Sequence, residues 1–132
     1  MTRQQQMAML AYKAADRVVR SGDKTEPQYR THALSTPAML LRNGLVQTVA
    51  FLHTRGTDGA SWYLADLART SLRFDAAAGD TAAADLLYAA ARGESTDAND
   101  FMNYIATTAD VLAASEWLRR MAQSHLTGGD QS

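Results

Sequence analysis

The apolar residues of this chain are almost all ones that favour helices. Among its 132 residues, alanine occurs 25 times and leucine 14 times, whereas isoleucine occurs once and valine five times. Alanine and leucine lead the helix scale, while strands favour β-branched and aromatic side chains. The composition therefore predicts an all-α protein, and this length is typical of a single domain that buries a core of its own.

Apolar residues at helical spacing, together with start and stop signals, divide the chain into about six helices. Thr36 before Pro37 is typical of a helix start, and Gly93 follows an expected helix end. The predicted helices are Arg3–Ser21, Pro27–Leu34, Pro37–Thr54, Gly59–Asp75, Thr81–Arg92 and Ala98–Leu126, in one domain over residues 1–132 with a disordered tail at 127–132. The predicted core is Leu10, Leu41, Leu45, Val49, Leu52, Leu67, Ile105, Leu112 and Leu118.

Several classes of protein are disfavoured by the residues that the chain lacks. It contains no cysteine, which excludes disulfides, thiolate metal sites and a cysteine nucleophile. No apolar segment is long enough to span a bilayer, and no signal-peptide pattern follows the first methionine. We therefore expect a cytoplasmic protein with no membrane partner.

Titratable residues show no catalytic or metal-binding spacing. His32, His53 and His125 are far apart in sequence and lack the ligand patterns of metalloenzymes. Asp97 and Asp100 fit either a divalent cation or the start of a helix, where carboxylates serve as caps, and capping is the better explanation. The sequence therefore predicts a protein that is not an enzyme, with no catalytic residue, cofactor or metal.

Charge is divided unevenly along the chain. Residues 1–55 carry eight Lys/Arg against three Asp/Glu, a net +5, and residues 56–132 carry five against eleven, a net −6. Such a division suits a subunit that places one face on nucleic acid and another on a protein. The alternative is the lopsided charge that small domains often have without any partner.

Five cations in the basic half are candidate nucleic-acid contacts. Lys13, Arg17 and Arg20 project within about 60° of one another on the first helix. Arg42 and Arg55 extend this patch if the first and third predicted helices are neighbours. The alternative for the first three is a solvated helix face, and for the other two it is local capping or pairing.

Gly44 stands inside an otherwise strong helical pattern, where glycine costs roughly 1 kcal/mol relative to alanine. The close approach of another helix or of a partner's backbone explains such a residue. We therefore predict a partner interface at Asn43, Gly44 and Gln47. Trp62 and Trp117 have two interpretations, stacking on nucleic-acid bases or packing in the core, and helical spacing favours the core.

Residues 29–52 resemble the signature of a known family. A Pro-Ala pair at 37–38 leads to Asn-Gly-Leu at 43–45, a glutamine at 47 and Ala-Phe-Leu at 50–52. Residues 104–122, with Trp-Leu at 117–118 followed by an arginine pair, are similar to the last helix of the same family. The family is the small subunit of the type III-B CRISPR RNA-guided effector complex.

The resemblance implies a non-catalytic helical bundle that stacks along the backbone of a ribonucleoprotein in antiviral defence. Its implied partners are the other subunits of the effector complex, neighbouring copies of itself, and guide and target RNA held through their backbones. A second function remains open from the residues alone. The chain also suits a generic helical protein–protein interaction module that makes no contact with RNA.

Overall fold

The computed structural model describes residues 1–21, 24–93 and 100–126. Within these ranges the chain forms five helices and no strand: α1 (Arg3–Ser21), α2 (Thr25–Arg55), α3 (Asp58–Thr70), α4 (Asp80–Ala91) and α5 (Asp100–His125). The all-α prediction is confirmed, and α1 begins and ends at the predicted residues. The tail predicted at 127–132 lies outside the described residues.

The longest element, α2, consists of two helical arms that fold back on each other at Gly44. Gly44 has φ 85° and ψ 173°, which interrupts the helix between a first arm (residues 25–43) and a second arm (45–55). In a straight helix, residues 32 and 51 would lie about 28 Å apart. The ring centroids of His32 and Phe51 are instead 6.2 Å apart. The second arm therefore returns along the first, and α2 is a helical hairpin.

The predicted helix boundary between Leu34 and Pro37 is wrong, because the first arm continues through this segment. Pro37 lacks an amide hydrogen, but burial of Ala33, Pro37 and Leu40 on one face offsets the missing bond. Gly44 is not a site of close helix approach among the described residues, since no atom of theirs beyond its own turn of backbone lies within 4 Å of the position that a side-chain carbon would take. Glycine is required there because other residues rarely adopt this backbone conformation.

The central helix is α3, which is buried along most of its 13 residues. It packs against α2 and α4, while α5 packs against α1 and α2. A side-chain carbon at Gly59 would overlap Gln28, so the start of α3 lies directly against the first arm of α2. The predicted end of this helix at Asp75 is wrong. The helix stops at Thr70, because Leu72 takes a left-handed conformation with φ 65°.

The core joins large side chains from α2 and α3 to many alanines from all five helices, which lets the helices approach closely. Five predicted core residues are buried: Leu45, Val49, Leu52, Leu67 and Leu118. Leu112 is partly buried and packs against this core.

Three core predictions are wrong, because Leu10 is only partly buried, Leu41 is 74% exposed and Ile105 is 48% exposed. The prediction put Leu41 on the face of Leu45 by assuming one straight helix, and the turn at Gly44 separates the two side chains. Ile105 lies outside because the buried stripe of α5 runs instead through Val111, Ala114 and Leu118.

Leu45→Ala and Leu41→Ala form a matched pair on either side of the turn. Leu45 has no exposed surface, so we expect its truncation to lower the free energy of unfolding by about 2–5 kcal/mol. Truncation of the exposed Leu41 should change it by less than about 0.5 kcal/mol. Urea unfolding followed by circular dichroism measures both values. A loss below about 1 kcal/mol for Leu45→Ala would contradict its place in the core.

Gly44→Ala tests the turn itself. The space around Gly44 is open, so the expected loss of about 1–3 kcal/mol in the free energy of unfolding comes from backbone strain alone. Gly79→Ala is the comparison, because Gly79 is equally open but has an ordinary φ of −65°, and as the N-cap of α4 its replacement should cost only about 0.5 kcal/mol. Equal stabilities for the two variants in urea would show that the turn does not depend on glycine.

Candidate functional site

Arg17, one of the predicted RNA contacts, is held inside a cluster of charged side chains. Its guanidinium donates two hydrogen bonds to Asp80 at 2.9 and 3.0 Å and two to Asp66 at 3.1 Å. Arg69 donates to the same carboxylates, at 2.6 Å to Asp66 and 2.8 Å to Asp80. Trp62 lies beneath Arg17, with its ring centroid 4.3 Å from the guanidinium carbon. Arg17 is therefore a cross-link between α1, α3 and α4.

Asp66 is the most buried member of this cluster, with 3% of its surface exposed. The Tyr29 hydroxyl of α2 also donates to it at 2.7 Å. Burial, and then the charge of Asp66, raise the pKa of Tyr29 well above its ordinary value, so its hydroxyl keeps its proton. Partial burial acts to raise the pKa of Asp80, but the hydrogen bonds and charges of Arg69 and Arg17 together outweigh it and lower that pKa. The Asp80 pairs are thus ionised at neutral pH.

Lys13 and Arg20 remain on the outer side of α1. Arg20 is 79% exposed at its side chain and lies 3.0 Å from Asp16, one turn away. Lys13 is exposed at the rim of a cavity of about 250 Å³ beside the cluster of Arg17 and Asp66. The structure therefore separates the three predicted α1 cations, since two face outward and one faces the protein.

Arg42 lies at the end of the first arm of α2, and Arg55 lies at the end of the second arm. Arg42 is exposed just before the turn, and Arg55 is exposed at the end of the helix, with its guanidinium carbon 5.9 Å from the Phe51 ring. The second arm, residues 45–55, spans about 16 Å. The five candidate cations are consequently spread over four places rather than gathered in one patch.

The three residues predicted to form a partner interface lie at the turn of α2. Asn43 and Gln47 are exposed on either side of Gly44. Leu41 and Val46, which are 74% and 43% exposed, add apolar surface at the same place. Apolar side chains beside exposed amides suit contact with protein, because apolar patches gain from burial and amides pair with backbone groups.

The two tryptophans are partly buried and pack against the core. The Trp117 indole nitrogen donates to Gln4 at 2.7 Å, which ties α5 to α1. Arg120 lies over the Trp117 ring at 4.7 Å. Their rings therefore serve helix packing, in line with the core interpretation.

The sequence of the chain matches the family described as CRISPR-associated protein (Cas_Cmr5) over residues 3–125. The chain belongs to the Cmr5 family. A relative from Thermus thermophilus, named CRISPR system Cmr subunit Cmr5, is 31% identical over 123 residues, which is 93% of this chain and 95% of the relative. The resemblance to the type III-B small subunit is confirmed.

The fold also matches a solved member of the Cmr5 family. The crystal structure of a CRISPR-associated Cmr5 family protein from Thermus thermophilus superposes with a TM-score of 0.75 at 29% identity. The match covers 95% of this chain and 97% of the crystallised one. The hairpin of α2 contains the Asn-Gly-Leu segment on which the resemblance rested, and its glycine is the residue that makes the turn.

Metal clusters and membrane-spanning helices are not found in the described part of this Cmr5 family chain. Over residues 1–21, 24–93 and 100–126, no three histidine, aspartate or glutamate side chains are grouped so that they could hold a metal ion. The same ranges contain no helix both long and apolar enough to cross a membrane. The Asp97 and Asp100 side chains lie outside the described positions.

Sequence reasoning missed the residues that organise this Cmr5 family fold. Asp66 and Arg69 are three residues apart on α3 and resemble an ordinary surface pair, whereas their side chains are 5% and 14% exposed. One signal was available. Asp66 stands within an apolar run, residues 64–68, with two apolar residues on each side. A carboxylate that is buried with such a run needs a hydrogen-bonding or charged partner.

Asp80→Asn tests the electrostatics of the cluster through pH. The pKa of Asp80 is below its ordinary value of 3.8 in the folded chain, so its charge stabilises the fold at neutral pH. That contribution is lost as the pH falls through the folded pKa. We expect Asp80→Asn to cost about 1 kcal/mol at pH 7, since the group is partly exposed, and a smaller amount in acid.

Urea unfolding at neutral pH and in acid measures this difference. Asp66→Asn is the buried counterpart and should cost about 3 kcal/mol at pH 7, because it leaves two guanidinium groups underpaired in the interior. Asp85→Asn is the control, since its side chain is 65% exposed. A cost for Asp80→Asn that does not shrink in acid would show that the pairing is not electrostatic.

Proposed function

We propose that this chain is the non-catalytic small subunit of a type III-B CRISPR ribonucleoprotein, the Cmr complex. In this proposal it stacks along the backbone of the complex and helps to hold guide and target RNA in antiviral defence. The observation that carries the proposal is the fold match to a Cmr5 family protein over 95% of the chain. The relative named as a Cmr subunit, which matches over 93% of the chain, supports the same role.

Exposed apolar surface supports contacts with other subunits and with neighbouring copies. Leu41 and Val46 lie beside the turn of α2, and Met102 and Ile105 on the outer side of α5 are 65% and 48% exposed. Side chains of this kind gain free energy when a partner covers them. The proposed interface residues Asn43, Gly44 and Gln47 lie within the first of these surfaces.

Among the candidate cations, we assign RNA contact to those that face outward. Lys13, Arg20, Arg42 and Arg55 are exposed, whereas Arg17 is committed to Asp66 and Asp80. Exposed lysine and arginine bind phosphate through charge, and arginine adds a bidentate fork. In an RNA-guided complex, base pairing selects the sequence, so these side chains should contact phosphates without base preference.

Replacing the outward cations tests this assignment in the assembled complex. Lys13→Ala/Arg20→Ala and Arg42→Ala/Arg55→Ala each remove two charges without disturbing the Arg17 cluster. Each lost phosphate contact should lower the slope of log affinity against log salt by about 0.7 for single-stranded RNA. Target-RNA binding is measured at several salt concentrations, with incorporation of the subunit checked on a gel.

The matched control is Lys24→Ala/Arg119→Ala, which removes the same charge from exposed positions outside the proposed contacts. Unchanged affinity and slope in both test variants, with full incorporation, would remove RNA contact from the proposal. Loss of incorporation with normal RNA affinity in the complexes that do form would instead assign these side chains to a protein neighbour. That outcome favours the alternative of a helical interaction module.

A further inference from the structure

An open cavity, with an arginine and a histidine in its lining, lies at the open end of the α2 hairpin, opposite the turn. It has a volume of about 260 Å³ and is lined by Pro27, Gln28, Thr31, His32, Arg55 and Thr57. The two arms of α2 supply five of these residues, and the start of α3 is fixed beside them by a 3.0 Å hydrogen bond from the Gly59 amide to Gln28. The cavity therefore exists because the hairpin closes against α3.

His32 is the buried polar wall of this cavity. Only 7% of its surface is exposed, and its ring contacts Phe51 and Tyr63, with centroids 6.2 and 6.5 Å away. Within the described residues its ring nitrogens have no hydrogen-bond partner, and they are not among the fully buried polar atoms, so they are open to the cavity. A group that enters the cavity can therefore replace water at these nitrogens and pair with the imidazole.

The rest of the lining can also donate hydrogen bonds. Arg55 is exposed at the mouth and brings a permanent positive charge. Thr57 accepts a bond from the Ala60 amide, and Gln28 accepts one from Gly59 through its carbonyl oxygen. The Thr57 hydroxyl hydrogen and the Gln28 amide hydrogens are therefore left to donate. Donors of this kind around one arginine suit an anion with several acceptor oxygens.

We propose that this cavity binds one phosphate group, with Arg55 and His32 as its two cationic ligands. The phosphate can belong to an RNA backbone or to a free phosphate ester, and the RNA case rests on the function proposed above. The sequence predicted Arg55 as a nucleic-acid contact and gave no such role to His32. The two residues are 23 positions apart and come together only because α2 folds back on itself. Arg55 is thus assigned to a defined cavity rather than to open surface alone.

Binding at this site takes up a proton. Burial, and then the charge of Arg55, lower the pKa of His32, so the empty site holds a neutral imidazole at pH 7. Glu26 and Asp58 adjoin lining residues in sequence but do not line the cavity, and Asp66 on α3 is paired with Arg17 and Arg69. An anion between Arg55 and His32 offsets the arginine charge and raises the His32 pKa. Affinity must then rise as the pH falls, since the coupling is reciprocal.

Histidine titration by NMR tests the site in the full chain. Sulfate is the first probe, because its charge is constant over the range of the titration, and a single-stranded oligouridine is the second. We expect saturating sulfate to raise the His32 pKa by about 1 unit and to leave His53 and His125 unchanged. By linkage, a rise of about 1 unit in the His32 pKa means that sulfate binds about tenfold more tightly to the protein with protonated His32, at low pH, than to the protein with neutral His32, at high pH.

Arg55→Ala separates a ligand from a purely structural effect. It should raise the His32 pKa of the empty protein, because the neighbouring charge is gone, and it should abolish the response to sulfate. Arg119→Ala removes an exposed charge elsewhere and should leave both unchanged. Because Arg55 is exposed, the variant should fold normally, and His32→Gln, which should remove the pH dependence of sulfate affinity, gives a second readout.

The two probes distinguish the source of the phosphate. A shift with both probes assigns the cavity to the RNA backbone, and a shift with sulfate alone assigns it to a free phosphate ester. A His32 pKa that neither probe moves in the folded chain overturns the proposal. Since the readout is taken on the free chain, its failure leaves the role in the effector complex intact, and failure of RNA binding by the complex leaves the sulfate result intact.

Discussion

The bundle depends on the carboxylate of Asp66. It is buried on α3 and accepts hydrogen bonds from Tyr29 on α2, Arg17 on α1 and Arg69 on α3 itself. The two guanidinium groups then reach Asp80 at the start of α4. Replacing a whole buried ion pair by apolar groups often leaves stability unchanged, because the cost of removing the charges from water cancels most of their attraction. The cluster as a whole therefore adds little net stability. We infer that its effect is to favour this arrangement of four helices, because an arrangement that separates these side chains leaves a buried charge unpaired.

The ion pairs of Arg17 also account for part of the division between a basic and an acidic half of the sequence. Arg17 from the basic half pairs with Asp66 and Asp80 from the acidic half, and Arg3 pairs with Asp110 of α5 at 3.1 Å. Part of the apparent dipole is therefore used within the molecule to dock α1 onto the other helices. Charges that pair within the molecule must therefore be left out before the charge asymmetry of a sequence is used to predict a partner. Here the outward-facing cations are the ones that bear on partner binding.

Local sequence patterns predict the fold class, the bounds of α1 and buried positions such as Val49 and Leu67, because each depends on residues within a few turns. They misplace the break in α2. The cap-like Thr36-Pro37 pair resembles a helix start, while the actual break is at Gly44, which the prediction interpreted as a close approach although glycine after asparagine is also a common helix end. Arg17 is misjudged for a related reason. Its place on α1 is predicted correctly, but its partners are 49 and 63 residues away, and no local pattern reports contacts at that distance.

The turn at Gly44 gives the two ends of α2 different chemistry. At the turn the helix is interrupted, so Leu41 and Val46 stand out beside exposed amides and offer apolar surface to a protein. At the open end the arms close against α3, and His32 is buried beside a permanent cation, which suits an anion. The ends are about 16 Å apart along the second arm, and effects at sites this far apart are usually additive. In the functions proposed above, a single glycine thus lets one helix serve two kinds of partner independently.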